Sequence, residues 1–368
     1  MKKKHVFNFL ILVSLTFLYT IITEYINNPI TSNSFKSYFW VQSLHLFVDT
    51  ILVITPLCIL FKKLNFSLDD FIKSFIVIAV IQSLFTMSFL FIPNFKNYIF
   101  NNIIDLDYYF SGDNESIDKL TYFRLNGLAS ELTFAMALFQ GFVLILIFNY
   151  YNFFKKKYLF YAPIIVISIL FNARVGLFIF VSFFVFLLLE NIIKLKLSRL
   201  LINAFNIVFF MFFLFIFIST YFPNFYQLFS IFLFSGLNEG NVLPHQDLLF
   251  GDHLFFPKNI FGLLFGEGKY VFSNNYESLH SDIGYVNIVM FGGLFLQVIL
   301  IINYLYPLFI LRKMSQFYNF LFIQIFFAIL LIQFKGNVFY LNGFTKALIL
   351  FGFYLKNLNQ EKNQLINE

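Results

Sequence analysis

Residues 277–298 read ESLHSDIGYVNIVMFGGLFLQV, so a histidine and a carboxylate, His280 and Asp282, run directly into an apolar helix. A near-neutral imidazole can take the proton of an attacking hydroxyl, and a carboxylate close by can hold the ring in one orientation. Asp282 also stands where a side chain caps a first helical turn, a role that would fix His280 as well. Complementary charge comes from arginine. Only four of the 25 basic residues are arginines, and Arg199 and Arg312 lie in lysine-bearing clusters between apolar runs. Arg124, in TYFRLNGLASELTF, and Arg174, in LFNARVGLF, stand at the opposite span ends. A guanidinium grips phosphate oxygens in pairs and stays charged at any accessible pH. The competing reading is a helix-end side chain reaching for lipid headgroups. Glu131 follows Arg124 by seven residues, two helical turns, and shares its face if one helix carries both. Lys335, in LIQFKGNVF, offers a point charge at another span end.

The elements that must position them are membrane helices. The chain is 60% hydrophobic and 12% charged, with a mean hydropathy of +0.79. A soluble domain carries about twice that charged share. A transmembrane helix needs ~20 mostly apolar residues, and such windows recur at 6–23, 41–61, 71–92, 127–149, 158–171, 175–190, 200–222, 283–305, 317–334 and 344–356. The expected fold is therefore all-α, a polytopic helical membrane protein of about ten spans forming one integral domain over 1–368. The fifth and tenth windows are short, which fits a tilted, re-entrant or longer helix. Met1 to Lys4 and the apolar run behind them resemble a signal peptide but lack a small-residue cleavage site, so the run counts as the first span.

Lysine spacing orients the bundle. Placing the N-terminus in the cytoplasm puts Lys2 to Lys4, Lys62-Lys63, Lys155 to Lys157, Lys194, Lys196 and Arg199, Arg312-Lys313, Lys356 and Lys362 on that side. Both termini are then cytoplasmic. The outer side receives a loop at 93–126, with Asp105, Asp107, Asp113, Glu115 and Asp118, and a larger one at 223–282, rich in glycine. No GxxxxGK[ST] phosphate loop and no cytoplasmic domain are present, so chemistry at the outer face would run without ATP. One cysteine, Cys58, and scattered histidines leave no pattern for a metal site, and no cofactor is expected. The net charge of +6 sits between spans and follows topology, not nucleic acid.

His45 and Asp49 share a face of the second span, WVQSLHLFVDTILV, with Asp49 well inside the bilayer. A polar pair stapling the bundle is the preferred reading; a proton relay would favour a transporter. His245 and His253 read as mid-loop surface residues.

RLNGLASE, then NARVG in a tight outward turn, then a large outer loop ending in GEGKY…HSDIGYVNIVMFGGL, resembles the O-antigen and capsular polysaccharide polymerases, the Wzy family, and the related O-antigen ligases. The topology resemblance covers nearly the whole chain; the residue match covers about 50 positions. It implies a GT-C-like membrane glycosyltransferase in a bacterial inner membrane. Undecaprenyl-pyrophosphate-linked glycans would be its substrates, and membrane lipids, a chain-length regulator and a flippase its partners. In such an enzyme Arg124, Arg174 and Lys335 would bind pyrophosphate, while His280, Asp282 and Glu131 would be catalytic, without metal. These motifs separate polymerase from ligase poorly, and a flippase stands as a third reading.

Overall fold

Helices make up every regular element that the computed structural model describes, over residues 3–27, 38–92, 135–153, 156–172, 254–269, 283–334 and 342–367, with a few isolated positions between them. In chain order these are α1 Lys3–Asn27, α2 Tyr38–Asp49, α3 Thr55–Lys63, α4 Leu68–Phe91, α5 Ala135–Phe153, α6 Ala162–Asn172, the short α7 Ile260–Phe265, α8 Gly284–Phe309, α9 Gln316–Ile332 and α10 Asn342–Asn367. Among the described residues, four stretches are long and apolar enough to cross a membrane: Lys4–Asn27, Phe39–Lys63, Leu68–Phe89 and Gly284–Phe309. Shorter apolar helices cover Met136–Tyr151, Tyr158–Leu170 and Gln316–Ile332. The expected spans at 175–190 and 200–222 fall almost wholly outside the described residues, as do nearly all of the 93–126 loop and most of the 223–282 loop.

Local sequence sets the boundaries. Ser67 and Asp70 form a reciprocal cap at the start of α4, with Asp70 N–H donating to Ser67 Oγ and Ser67 N–H to Asp70 Oδ2. Lys62 and Lys63 close α3 while Asp69 and Asp70 open α4, so each charge opposes the helix dipole beside it. α2 continues into α3 through a π-helical turn, Thr50–Ile54. Pro56 in the first turn of α3 has no N–H to give, and the ladder widens there, with Thr55 N–H reaching Thr50 O.

Packing contacts fix the helix directions. The Phe9 ring stacks on Tyr306 at 6.1 Å, Asn303 donates to Thr16 at 2.6 Å, and Tyr19 reaches Gly292 at 2.8 Å, so α1 and α8 are antiparallel. Tyr150 donates to Asp69 while Gln140 donates to Ser83, so α4 and α5 are antiparallel too. Gln140 also donates to Ser168 of α6, a three-helix hydrogen-bond node of the kind that holds helices together where apolar burial cannot. The result brings Lys62-Lys63, Arg312-Lys313 and Lys356 to one end of the bundle. The Lys356 ammonium donates to Ile310 O at 3.1 Å, and the Tyr354 hydroxyl donates to Phe66 O. That grouping is what the lysine spacing required.

α10 departs from the expected pattern. Its fifth residue, Lys346, already meets Asp49, which lies near the middle of the span Phe39–Lys63. Phe339, from the α9–α10 connection, is buried against Tyr304 with ring centroids 4.6 Å apart. The window at 344–356 is short because α10 starts at mid-bundle and crosses only half of it before continuing into polar sequence.

Candidate functional site

The end of the bundle opposite the basic clusters is built around a broken helix. Gly293, the tenth residue of α8, has φ 69° and ψ −175°, a conformation effectively restricted to glycine. The break frees the carbonyls just before it. Glu267 N–H donates to Met290 O at 2.9 Å, and Gly268 N–H donates to Phe291 O at 2.9 Å. The Tyr19 hydroxyl lies 2.8 Å from Gly292 O and 3.0 Å from Phe265 O, so one phenol clamps both strands of the junction. The approach is backbone to backbone. A Cβ on Gly266 would fall 2.1 Å from Phe291 O, and one on Gly293 would fall 2.3 Å from Leu264 O. The GEG and GG motifs, far apart in sequence, are thus one structural unit.

This junction sits deep. Gly293 lies roughly 13 Å along α8 from its first residue, at 1.5 Å per residue. Irregular backbone at such depth in a membrane is tolerated only where protein buries it or a watery cavity adjoins it. A cavity of about 730 Å³ does adjoin it, between the far half of α1 and the segment 259–269. Lys269 and Glu267 form an ion pair of 2.9 Å at its edge.

Ser281 fastens the entry to α8. Its N–H donates to Val271 O at 2.9 Å, its carbonyl accepts from Asn287 Nδ2 at 2.7 Å, and its hydroxyl accepts from Ile283 N–H at 3.1 Å. The N-cap of α8 is Ile283, whose side chain makes no cap hydrogen bond, and Asp282 lies outside the described residues. Ser281 serves the turn. Next to it, Tyr285 N–H donates to Gln333 O at 3.4 Å and its hydroxyl donates to Leu330 O at 2.8 Å, joining the start of α8 to the end of α9. Gly176 lies against the start of α5: a Cβ there would meet Ala137 O at 2.3 Å.

Below this end, Lys346 and Asp49 form an ion pair of 2.8 Å, beside the π-helical turn. His45 is exposed, one turn away on α2. The expected His45–Asp49 staple is therefore corrected: the partner of Asp49 is a lysine from the last helix. Lys346 was missed from the sequence, although a lysine inside the apolar run GFTKALILF is itself a signal.

The residues nominated from sequence, His280, Asp282, Glu131, Arg124, Arg174 and Lys335, all lie outside the described residues. Their described neighbours converge on one end of the bundle. Ser281 stands between His280 and Asp282, Gly176 follows Arg174 by two, and Gln333 precedes Lys335 by two. Ala135, four residues beyond Glu131, opens α5 at the same end. Among the described residues no group of three or more His, Cys, Asp and Glu side chains could hold a metal ion. No protein-family model, curated protein or solved structure matches the chain.

Proposed function

We propose that this protein joins lipid-linked oligosaccharide repeat units into a polysaccharide at the outer face of a bacterial inner membrane. The observation that carries the reading is the convergence just described. Chain neighbours of Arg174, Glu131, His280, Asp282 and Lys335 lie at the bundle end away from the basic clusters, with Gly176 against Ala137 and Tyr285 bonded to Gln333. In the proposed step an acceptor sugar hydroxyl attacks the anomeric carbon of a glycan on undecaprenyl pyrophosphate. The new C–O bond forms as the bond from that carbon to the phosphate oxygen breaks, and the pyrophosphate leaves with the electron pair. His280 takes the hydroxyl proton, Asp282 orients the imidazole, and Glu131 stands as the carboxylate partner of Arg124. Arg124, Arg174 and Lys335 stabilise the charge growing on the leaving oxygens. The test is His280→Ala in a host strain whose own polymerase gene has been replaced by this one. Loss of chain extension with single-repeat glycan still delivered to the cell surface supports a polymerase. Loss of all surface glycan points to a ligase or flippase, and normal chain length removes His280 from the site.

A transporter of such lipids is a second reading, favoured by one group of observations. Midplane charges and broken helices are the marks of transporter cores, and here an Asp49–Lys346 pair stands beside a π-helical turn and near the start of α10, which begins at mid-bundle. Loading proteoliposomes with a fluorescent undecaprenyl-pyrophosphate glycan separates the two. A transporter moves the label across the bilayer, whereas a polymerase lengthens it in place.

A further inference from the structure

We infer that the cavity between α1 and the segment 259–269 binds a neutral sugar carried on a membrane-embedded tail. Its volume, about 730 Å³, falls within the range of small-molecule sites. Two asparagines present opposite ends to it. Asn27 commits its amide nitrogen to Thr23 O at 2.8 Å, leaving its carbonyl to accept; Asn259 commits its Oδ1 to Gly262 N–H, leaving its amide group to donate. Glu267 adds a carboxylate, and Phe261 and Phe265 add two rings 6.3 Å apart, 74% and 48% exposed. Amide donors and acceptors, a carboxylate and open aromatic faces are what the hydroxyl edges and apolar faces of a pyranose require.

Charge decides against a phosphate in this place. Lys269 is neutralised by Glu267 at 2.9 Å, and among the described residues no arginine lines the cavity. Polarity decides against a bare acyl chain, which would desolvate Asn27, Asn259, Glu267 and Lys269 and give them no hydrogen bond in return. The wall formed by Ile22, Ile26 and Phe261 is exposed and apolar, so the opening faces the lipid side, where a tail would remain. None of the described residues that line the cavity is among those nominated for transfer. Its binding chemistry does not depend on the polymerase reading, but the role given to it, holding the acceptor glycan beside them, rests on that reading.

The experiment uses the full chain in nanodiscs and a photoreactive dodecyl maltoside as probe, with photoreactive dodecyl phosphate and an uncharged dodecyl polyethylene glycol ether for comparison. Labelling by the maltoside should map to 19–27 and 259–269 and be competed by unlabelled dodecyl maltoside. Glu267→Gln removes a charged hydrogen-bond acceptor and should weaken the maltoside about tenfold. Because it also frees the Lys269 charge, it should raise labelling by dodecyl phosphate. Asn259→Ala should weaken the maltoside without raising the phosphate, and a near-unchanged melting temperature in both variants shows that the fold is kept. Preferred labelling of the wild type by dodecyl phosphate overturns the inference in favour of an anion site. Equal labelling by all three probes reduces the cavity to a lipid groove. Since labelling is read without glycan synthesis, a chain that binds the maltoside but makes no polymer sinks the polymerase reading alone. A chain that makes polymer but does not distinguish the probes sinks this inference alone.

Discussion

Replacing Lys346 by methionine tests whether the mid-bundle ion pair holds the fold or serves a transport cycle. The substitution keeps most of the side-chain length but removes the ammonium that lies 2.8 Å from the Asp49 carboxylate, leaving that charge beside an uncharged thioether. Breaking one side of a buried pair costs about 3–5 kcal/mol. The two side chains are 20% and 36% exposed, so the lower part of that range, about 3 kcal/mol, is expected. Asp49→Asn should cost a similar amount by stranding the lysine. The double variant removes both charges, and replacing a buried pair with neutral groups is close to neutral, so its cost should be about 1 kcal/mol, not the ~6 that addition gives. Unfolding of purified protein in bicelles, followed by steric trapping for the wild type, both singles and the double, measures all four corners of the cycle. Additive losses would show that the two residues do not interact. Single losses below about 0.5 kcal/mol would show that solvent or lipid headgroups already satisfy each charge. The surface glycan of the same strains gives the second readout. A structural pair predicts that the double variant regains polymer along with its stability. A stable double variant without surface glycan, and with no lipid movement in proteoliposomes, favours the transporter reading instead.

Three further outcomes follow from the architecture. Reporter fusions at Gly112 and Gly251 should report the periplasm, and fusions after Lys156 and Lys313 the cytoplasm, because lysine is retained inside; a cytoplasmic signal from Gly251 would remove both the orientation and the proposed mechanism. Arg174→Lys should lose most polymer with normal membrane abundance, since an ammonium cannot make paired contacts to pyrophosphate, while Arg199→Lys should be nearly silent; equal behaviour of the two makes Arg174 a topology residue. Gly293→Ala should lower the melting temperature and loosen the 259–269 segment, because its Cβ would meet Leu264 O at 2.3 Å in a backbone state that costs alanine about 1–3 kcal/mol. Gly343→Ala, where a Cβ meets nothing within 4 Å, is the matched control and should be neutral or mildly stabilising.

Much of the fold was readable because the membrane imposes one simple demand, about 20 apolar residues per span, and because lysine marks one side. The described α1, α4, α8 and α9 fall where those two rules put them. What the rules cannot report is depth. Nothing in the window 344–356 says that α10 starts beside Asp49 at mid-bundle, because hydropathy is blind to which half of a bilayer a helix occupies. The π-helical turn is hidden for a related reason: Pro56 predicts a disturbed ladder, but whether the chain kinks, breaks or widens depends on the packing around it. For the site, the glycines of GEGKY and MFGGL were visible as a motif, yet their meeting was not. Backbone-to-backbone hydrogen bonds such as Glu267 N–H to Met290 O carry no side-chain signature. Ser281 escaped notice because the more reactive residues on either side of it drew the chemistry, while its own three hydrogen bonds hold the turn.

Near the basic end a continuous aromatic cluster closes the bundle, with Phe61, Phe71, Phe75, Phe351 and Tyr354 packed ring against ring. From the middle outward the ladder widens at Thr50, α10 begins late, α8 breaks at Gly293, and Glu267 and Lys269 stand beside that break. Backbone carbonyls that a membrane interior cannot hydrate are answered by specific partners, Tyr19 at the α8 break and Tyr304 at Phe339, and the Asp49 carboxylate is answered by Lys346. The α8 break stands beside a polar cavity, at the end where the nominated residues' neighbours meet, which is the pattern expected of a bundle that admits a polar ligand from the lipid side. It is also why substitutions at Gly293 and Lys346 should disturb function before those in the aromatic cluster do.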